Sequence, residues 1–143
     1  MKEYKARTGA KFNNTDAQVI GEAIENLKDE KGHILVSRII INAKSESSEL
    51  HKHFEWDNIK AAHDHRLQQA RELVNHIVEV VIIDGEEAIE RSFVSVHVED
   101  QGKVYVTIDD AITNEDYRKQ LLSKMINTLE NLTNTMRLFQ DKL

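Results

Sequence analysis

The first half of the chain spaces its hydrophobic residues as amphipathic helices do. The first predicted helix begins at a capping box formed by Thr15 and Gln18, and it ends at Gly32. A second helix is predicted over 35–44, although the β-branched run at 34–41 also fits a buried strand. The two helices have the spacing of a helix–turn–helix, but an ordinary helical hairpin is the favoured interpretation.

A third helix is predicted from Asp57 to His76, where apolar side chains again recur at helical spacing. Asp57 suits the N-cap, because its carboxylate can accept hydrogen bonds from the free N–H groups of the first turn. Phe54 and Trp56 are expected to cover this end of the helix as a hydrophobic staple.

After this helix the hydrophobic period changes to two, which predicts strands at 77–83, 92–98 and 103–108. Turn residues at Asp84-Gly85 and at Asp100-Gln101-Gly102 separate them. The expected sheet is a three-stranded antiparallel meander over 77–110. One of its faces must pack on helices, because three strands alone are only marginally stable.

A long helix is predicted over 113–141, and its apolar residues alternate spacings of three and four. We call this a/d stripe the seam; its residues are Leu122, Met125, Leu129, Leu132, Met136, Phe139 and Leu143. A strict a/d stripe favours pairing with another helix, including one from a second subunit, so a homo-oligomer is expected. Packing along the meander or the central helix is an equal alternative.

These elements predict one α+β domain over 13–143, with a helical half at 13–76 and a flexible basic arm at 1–12. The chain has 143 residues, of which 40% are hydrophobic and 31% charged, as in soluble globular proteins. It has no cysteine and no proline, its N-terminus resembles no signal peptide, and no apolar run could span a membrane. We therefore expect a cytoplasmic protein without a membrane partner.

The net charge of −6 is unevenly distributed. Residues 1–12 hold four basic residues and one acidic residue, whereas residues 77–110 hold nine acidic residues and two basic ones. The basic arm, with Tyr4 and Phe12, is suited to phosphates and stacked bases, although a plain disordered terminus is the favoured interpretation. The candidate nucleic-acid-binding residues are Lys2, Lys5, Arg7, Lys11, Arg38, Lys44, Lys60, Arg66 and Arg71.

The histidines and carboxylates of the central stretch do not predict an active site. His51 and His53, like His63 and His65, lie two residues apart, and helical residues at that spacing do not face one ion. No spacing matches a zinc motif, a P-loop, a Gly-rich dinucleotide turn or a nucleophile elbow. We expect no catalytic residue, no metal and no cofactor.

The central stretch also carries a resemblance. Its run LHKHFEWD, followed by AAHDHRLQQAR, resembles a family of uncharacterised bacteriophage and prophage proteins that share an LHxxFEWD signature. The matching residues are Leu50, His51, Phe54, Glu55, Trp56, Asp57, Ala61, Ala62, Arg66, Gln69, Ala70 and Arg71. The resemblance implies a phage or prophage source, and it brings no assigned activity.

Three functions follow as hypotheses. The first is a non-enzymatic phage accessory protein that binds nucleic acid through its basic residues. The second is a protein–protein adaptor or an inhibitor of a host protein, which the acidic middle and the seam favour. The third is a virion or assembly protein, since a heptad seam suits assembly.

Overall fold

The computed structural model describes residues 2–57 and 62–142. Over these residues the α+β class, a three-stranded sheet and the long C-terminal helix are confirmed. The elements are β1 (Tyr4–Ala6), α1 (Asn14–Glu25), α2 (Val36–Ala43), a 3₁₀ turn (His51–His53), α3 (His63–Asn75), β2 (Ile77–Ile83), β3 (Glu86–Arg91), β4 (Phe93–Val98), β5 (Gly102–Thr107), α4 (Ile108–Thr113) and α5 (Glu115–Lys142).

The first two helices form where the apolar spacing predicts them, with different ends. The N-cap of α1 is Asn13, whose side chain accepts from the Asp16 amide, so the capping box predicted at Thr15 is wrong. The helix ends at Glu25 rather than at Gly32. The run at 34–41, which fits either a helix or a strand by sequence, contains both kinds of structure. Ile34 forms a β-bridge with Tyr105 of β5, and α2 begins after it, as the predicted helix.

The N-terminal segment is partly ordered, in contrast to the flexible arm predicted over 1–12. Residues 4–6 form strand β1, which pairs antiparallel with the start of β2. Tyr4 is buried, and its ring lies against Gly21 of α1, where a side chain would leave no room. The Gln18 side chain bonds to the Tyr4 amide and to the Lys2 carbonyl, so α1 holds this segment in place.

The strands form two sheets instead of one meander. One sheet has the order β1-β2-β3, and β4 pairs with β5 in a separate two-stranded sheet. The turn predicted at Asp84-Gly85 is present with two positive φ angles, and it leads into a strand, β3, that the alternation did not predict. Ser92 separates the sheets: its amide donates to the Ile77 carbonyl and its carbonyl accepts from Ile108.

The central helix is shorter than predicted. It begins at His63 after Ala62, so the prediction of Asp57 as N-cap is wrong. The Asp57 amide donates instead to the side chain of Glu55, in a segment that lies outside the helix. Residues 58–61 fall outside the described part of the chain, and with them the predicted roles of Lys60 and Ala61.

Two hydrophobic clusters support these elements. The larger one packs α1, α2, α3 and residues of both sheets around Ile20, Ile39, Val74 and Phe93. The smaller one lies under β4, β5 and α4, and Tyr117 and Leu121 of α5 pack against it. Within the described residues, the apolar contacts of α5 with this cluster come from its first part, and no residue of the helix is buried.

Candidate functional site

The LHxxFEWD signature forms a structural corner between α2 and α3. Leu50 and Phe54 are buried, and the Trp56 ring stacks on the His51 ring with centroids 5.1 Å apart. The indole Nε1 donates to the His51 carbonyl at 2.8 Å, and His51 Nδ1 donates to the Ala43 carbonyl at 2.7 Å. These contacts tie the signature to the end of α2.

The polar residues of the signature fasten this corner to α3. The Glu55 carboxylate accepts from the Asp57 amide at 3.0 Å, and the Gln69 side chain accepts from the Glu55 amide at 3.2 Å. Arg66 donates to the Glu55 carbonyl and lies 5.1 Å from the centre of the Trp56 ring. The signature residues therefore have a structural explanation.

A cleft of about 640 Å³ lies beside this corner, between the segment after β1, the 3₁₀ turn and α3. Its lining gathers two lysines and three imidazoles from three separate segments. These five side chains belong to Lys11, Lys52, His53, His65 and His76. Phe12, Gln68 and Gln69 also line the cleft, and so do the carboxylates of Glu55 and Glu72.

Each of the two lysines of the cleft lies beside a carboxylate. Lys11 Nζ lies 3.9 Å from Glu72, and Lys52 Nζ donates to Asp16 at 3.3 Å. Burial and the neighbouring Lys52 charge lower the pKa of His53, so that His53 is neutral at pH 7. His53 Nε2 is buried and has no hydrogen-bond partner within the described residues. The cleft thus offers amide, imidazole and ammonium groups to a polar or phosphorylated ligand.

Most of the predicted nucleic-acid-binding residues lie apart from this cleft. Lys2 is held between Glu25 and Asp109, at 2.9 and 3.1 Å. Arg7 donates to the Asn75 carbonyl, and Arg66 covers Trp56. Lys5 and Arg71 are half-buried, whereas Arg38 and Lys44 are exposed at α2. Among the candidates in the described part of the chain, Lys11 is the one that lines the cleft.

Sequence reasoning missed Lys52, His53, His65 and His76 as neighbours of Lys11. The two H-x-H pairs drew attention to two of these residues, His53 and His65, but only as metal ligands. Within the described residues, no three His, Asp or Glu side chains are grouped so that they could hold a metal ion.

The seam of α5 is a second candidate surface. Its members from Leu122 to Phe139 are 51–66% exposed, and Leu143 lies outside the described residues. The start of α5 is fixed to β4, because Gln120 exchanges two hydrogen bonds with the His97 backbone and Lys124 donates to the Ser95 carbonyl. In the part of the chain that the structure describes, the side-chain hydrogen bonds of α5 beyond Lys124 stay within the helix.

Comparison with known proteins adds no likeness: no protein-family model, no curated protein and no solved structure matches the chain. No helix among residues 2–57 and 62–142 is long and apolar enough to cross a membrane.

Proposed function

We propose that the protein is a non-enzymatic accessory protein that works as a homo-oligomer assembled through α5. The observation that carries this proposal is the exposed seam on a helix of 28 residues with no buried residue. At 1.5 Å per residue such a helix is roughly 42 Å long, and a large part of it extends beyond the body. The LHxxFEWD resemblance supports a phage or prophage accessory role.

A second copy of the chain fits the seam on physical grounds. The positions that flank the seam are mostly neutral, with Lys142 at the end of the helix as a charged one, so two copies would meet little like-charge repulsion there. The neutral flanking residues are Ile126, Thr128, Thr133, Thr135 and Gln140. Burying the exposed half of each apolar side chain of the seam contributes about 1 kcal/mol to the free energy of association. Six such side chains from each of two helices therefore contribute roughly 12 kcal/mol, before the entropic cost of association is subtracted.

Sedimentation equilibrium over a dilution series tests this proposal. The wild type should sediment as an oligomer at micromolar concentration, and Leu132→Glu should shift it to the monomer mass. Asn134→Glu is the matched control, because it adds the same charge to an exposed site of α5 outside the seam. The helical circular-dichroism signal should fall together with the mass. A monomeric wild type would contradict the proposal.

Binding of nucleic acid is a second candidate function, favoured by the cluster of lysines and imidazoles around the cleft. Lys11 and Lys52 are positioned to contact phosphate, and Phe12 and the glutamines to contact a base. Because Lys11 lies beside Glu72 and Lys52 beside Asp16, binding at this cleft is expected to be weak.

Fluorescence anisotropy with labelled single- and double-stranded DNA and RNA tests this second function. The logarithm of the binding constant should fall linearly with the logarithm of the salt concentration, with a slope of about −0.9 for each phosphate contacted on a duplex. Lys11→Glu with Lys52→Glu should abolish binding, whereas Lys119→Glu, an exposed lysine on α5, should leave it unchanged. Absence of binding at low salt would exclude this function.

A further inference from the structure

The β2–β3 hairpin reaches beyond the body of the protein. Among the described strands, β1 pairs with residues 77–79 of β2, and the outer half of β2 pairs with β3 alone. On its other side β3 has no partner strand within the described residues. Its outer edge therefore presents free backbone N–H and C=O groups, which are a template for another strand.

The hairpin also exposes aliphatic side chains on both of its faces. Ile82 and Ile89 lie on the same face, since Val80 pairs with Ile89 and side chains alternate along a strand. They are 67% and 62% exposed, and Ile83 on the opposite face is 53% exposed. Strands with open edges and exposed aliphatic residues are usual sites of strand addition.

The charge of the hairpin selects the kind of partner. Asp84, Glu86, Glu87 and Glu90 are exposed, and residues 80–90 contain no Lys, Arg or His. In residues 2–57 and 62–142, none of these carboxylates is in an ion pair. Two copies of β3 would bring like charges together, which disfavours self-pairing, whereas a basic segment would neutralise them.

We propose that the outer edge of β3 binds an extended, Lys/Arg-rich segment of a partner protein as an added antiparallel strand. Cationic side chains of that segment would lie opposite Glu86, Glu87 and Glu90, and a β-branched residue would lie opposite Ile89. The backbone hydrogen bonds of the added strand give affinity, and the carboxylates set the required charge. This site is separate from the α5 seam and does not depend on oligomerisation.

A fluorescein-labelled peptide of sequence TKVVKKT is the probe, because it places its cations opposite the three glutamates in the antiparallel direction. Its anisotropy should rise with protein concentration, and the acidic peptide TEVVEET should give no change. Glu87→Lys with Glu90→Lys should weaken binding of TKVVKKT about tenfold or more, since two favourable pairs become repulsive. Glu99→Lys with Asp100→Lys, in the exposed turn after β4, is the matched control and should keep full affinity.

Hydrogen exchange distinguishes strand addition from loose attraction between charges. Bound peptide should slow the exchange of alternate β3 amides, and the proline-containing peptide TKPVKKT should bind more weakly and protect fewer amides. No binding at low salt would overturn the proposal. Equal binding of the proline peptide without protection, or binding that survives the hairpin charge reversal, would overturn it too.

Discussion

Replacing Gly21 by alanine is a sharp test of how the N-terminal strand packs. A Cβ at Gly21 would lie 2.5 Å from Cγ of Tyr4 and within 2.7 Å of its two Cδ atoms. The Tyr4 ring cannot easily move, because its hydroxyl donates to Glu25 at 2.6 Å and its amide donates to Gln18 at 2.9 Å. The added methyl group therefore meets a fixed, buried ring.

Two opposing effects set the size of this change. Alanine in a helix interior is better than glycine by about 1 kcal/mol, which would stabilise α1. Forcing a methyl group into a well-packed core costs about 1–3 kcal/mol. Because three ring atoms would lie closer than 3.0 Å, we expect the upper part of this range and a net destabilisation of about 1–2 kcal/mol.

Urea denaturation of Gly21→Ala in the wild-type and Tyr4→Ala backgrounds separates the gain in helix propensity from the clash with the Tyr4 ring. Without the Tyr4 ring the clash is absent, so the same substitution should become stabilising by up to about 1 kcal/mol. The double-mutant cycle should then show a coupling of about 2–3 kcal/mol. If Gly21→Ala stabilised the otherwise unchanged protein, the packing of β1 on α1 would be contradicted. The result would instead support a flexible arm at residues 1–12.

Three further substitutions test the polar contacts and the turn of the first sheet. Tyr4→Phe should cost about 1–2 kcal/mol at pH 7 in urea denaturation. Burial by itself would raise the pKa of Glu25, but its contacts with Tyr4 and Lys2 lower it. The loss of unfolding free energy caused by Tyr4→Phe should therefore become smaller as the pH falls through that lowered pKa. A loss that did not change with pH would contradict this account. Glu79→Gln should raise the melting temperature at pH 7. Burial raises the pKa of Glu79, so the folded protein loses stability when this carboxyl group is deprotonated at a pH above its ordinary pKa of 4.5. The gain in melting temperature should become smaller when the pH is lowered below 4.5. Gly85→Ala, at φ +81° with open space around it, should cost about 1 kcal/mol in urea denaturation through backbone strain alone.

The apolar pattern of the sequence predicted the elements that contribute buried side chains to the core. Helix α2 and strands β2, β4 and β5 follow their apolar spacing, and the Asp84-Gly85 turn follows its residue types. Strand β3 was missed because its sequence, EEAIER, shows no clear alternation: the hairpin leaves both faces exposed, so burial does not shape the pattern. Strand β1 has only three residues, and it is held by β2 and by Gln18 rather than by its own propensity.

The start of α3 and the lining of the cleft could not be predicted from local sequence patterns. Asp57 has the right chemistry for an N-cap, but the Trp56 indole is tied to the His51 carbonyl, and Ala62 precedes the helix instead. The cleft joins Lys11 to Lys52 and His76, which are far apart in the sequence. Such a grouping depends on tertiary packing, so a scan for basic runs could find only the first of them.

The composition of α5 bears on the proposed pairing of its seam. Beyond Lys124 the helix contains asparagines and threonines that are poor helix formers, namely Asn127, Thr128, Asn131, Thr133, Asn134 and Thr135. A segment of this length and composition is marginal as an isolated helix in water, because tertiary packing supplies most helical stability. Residues 2–57 and 62–142 leave the seam from Leu122 to Phe139 uncovered, so they do not supply the stabilising contact. A second copy pairing along the seam would supply that contact, and the same apolar side chains would then set both the length of the helix and the assembly.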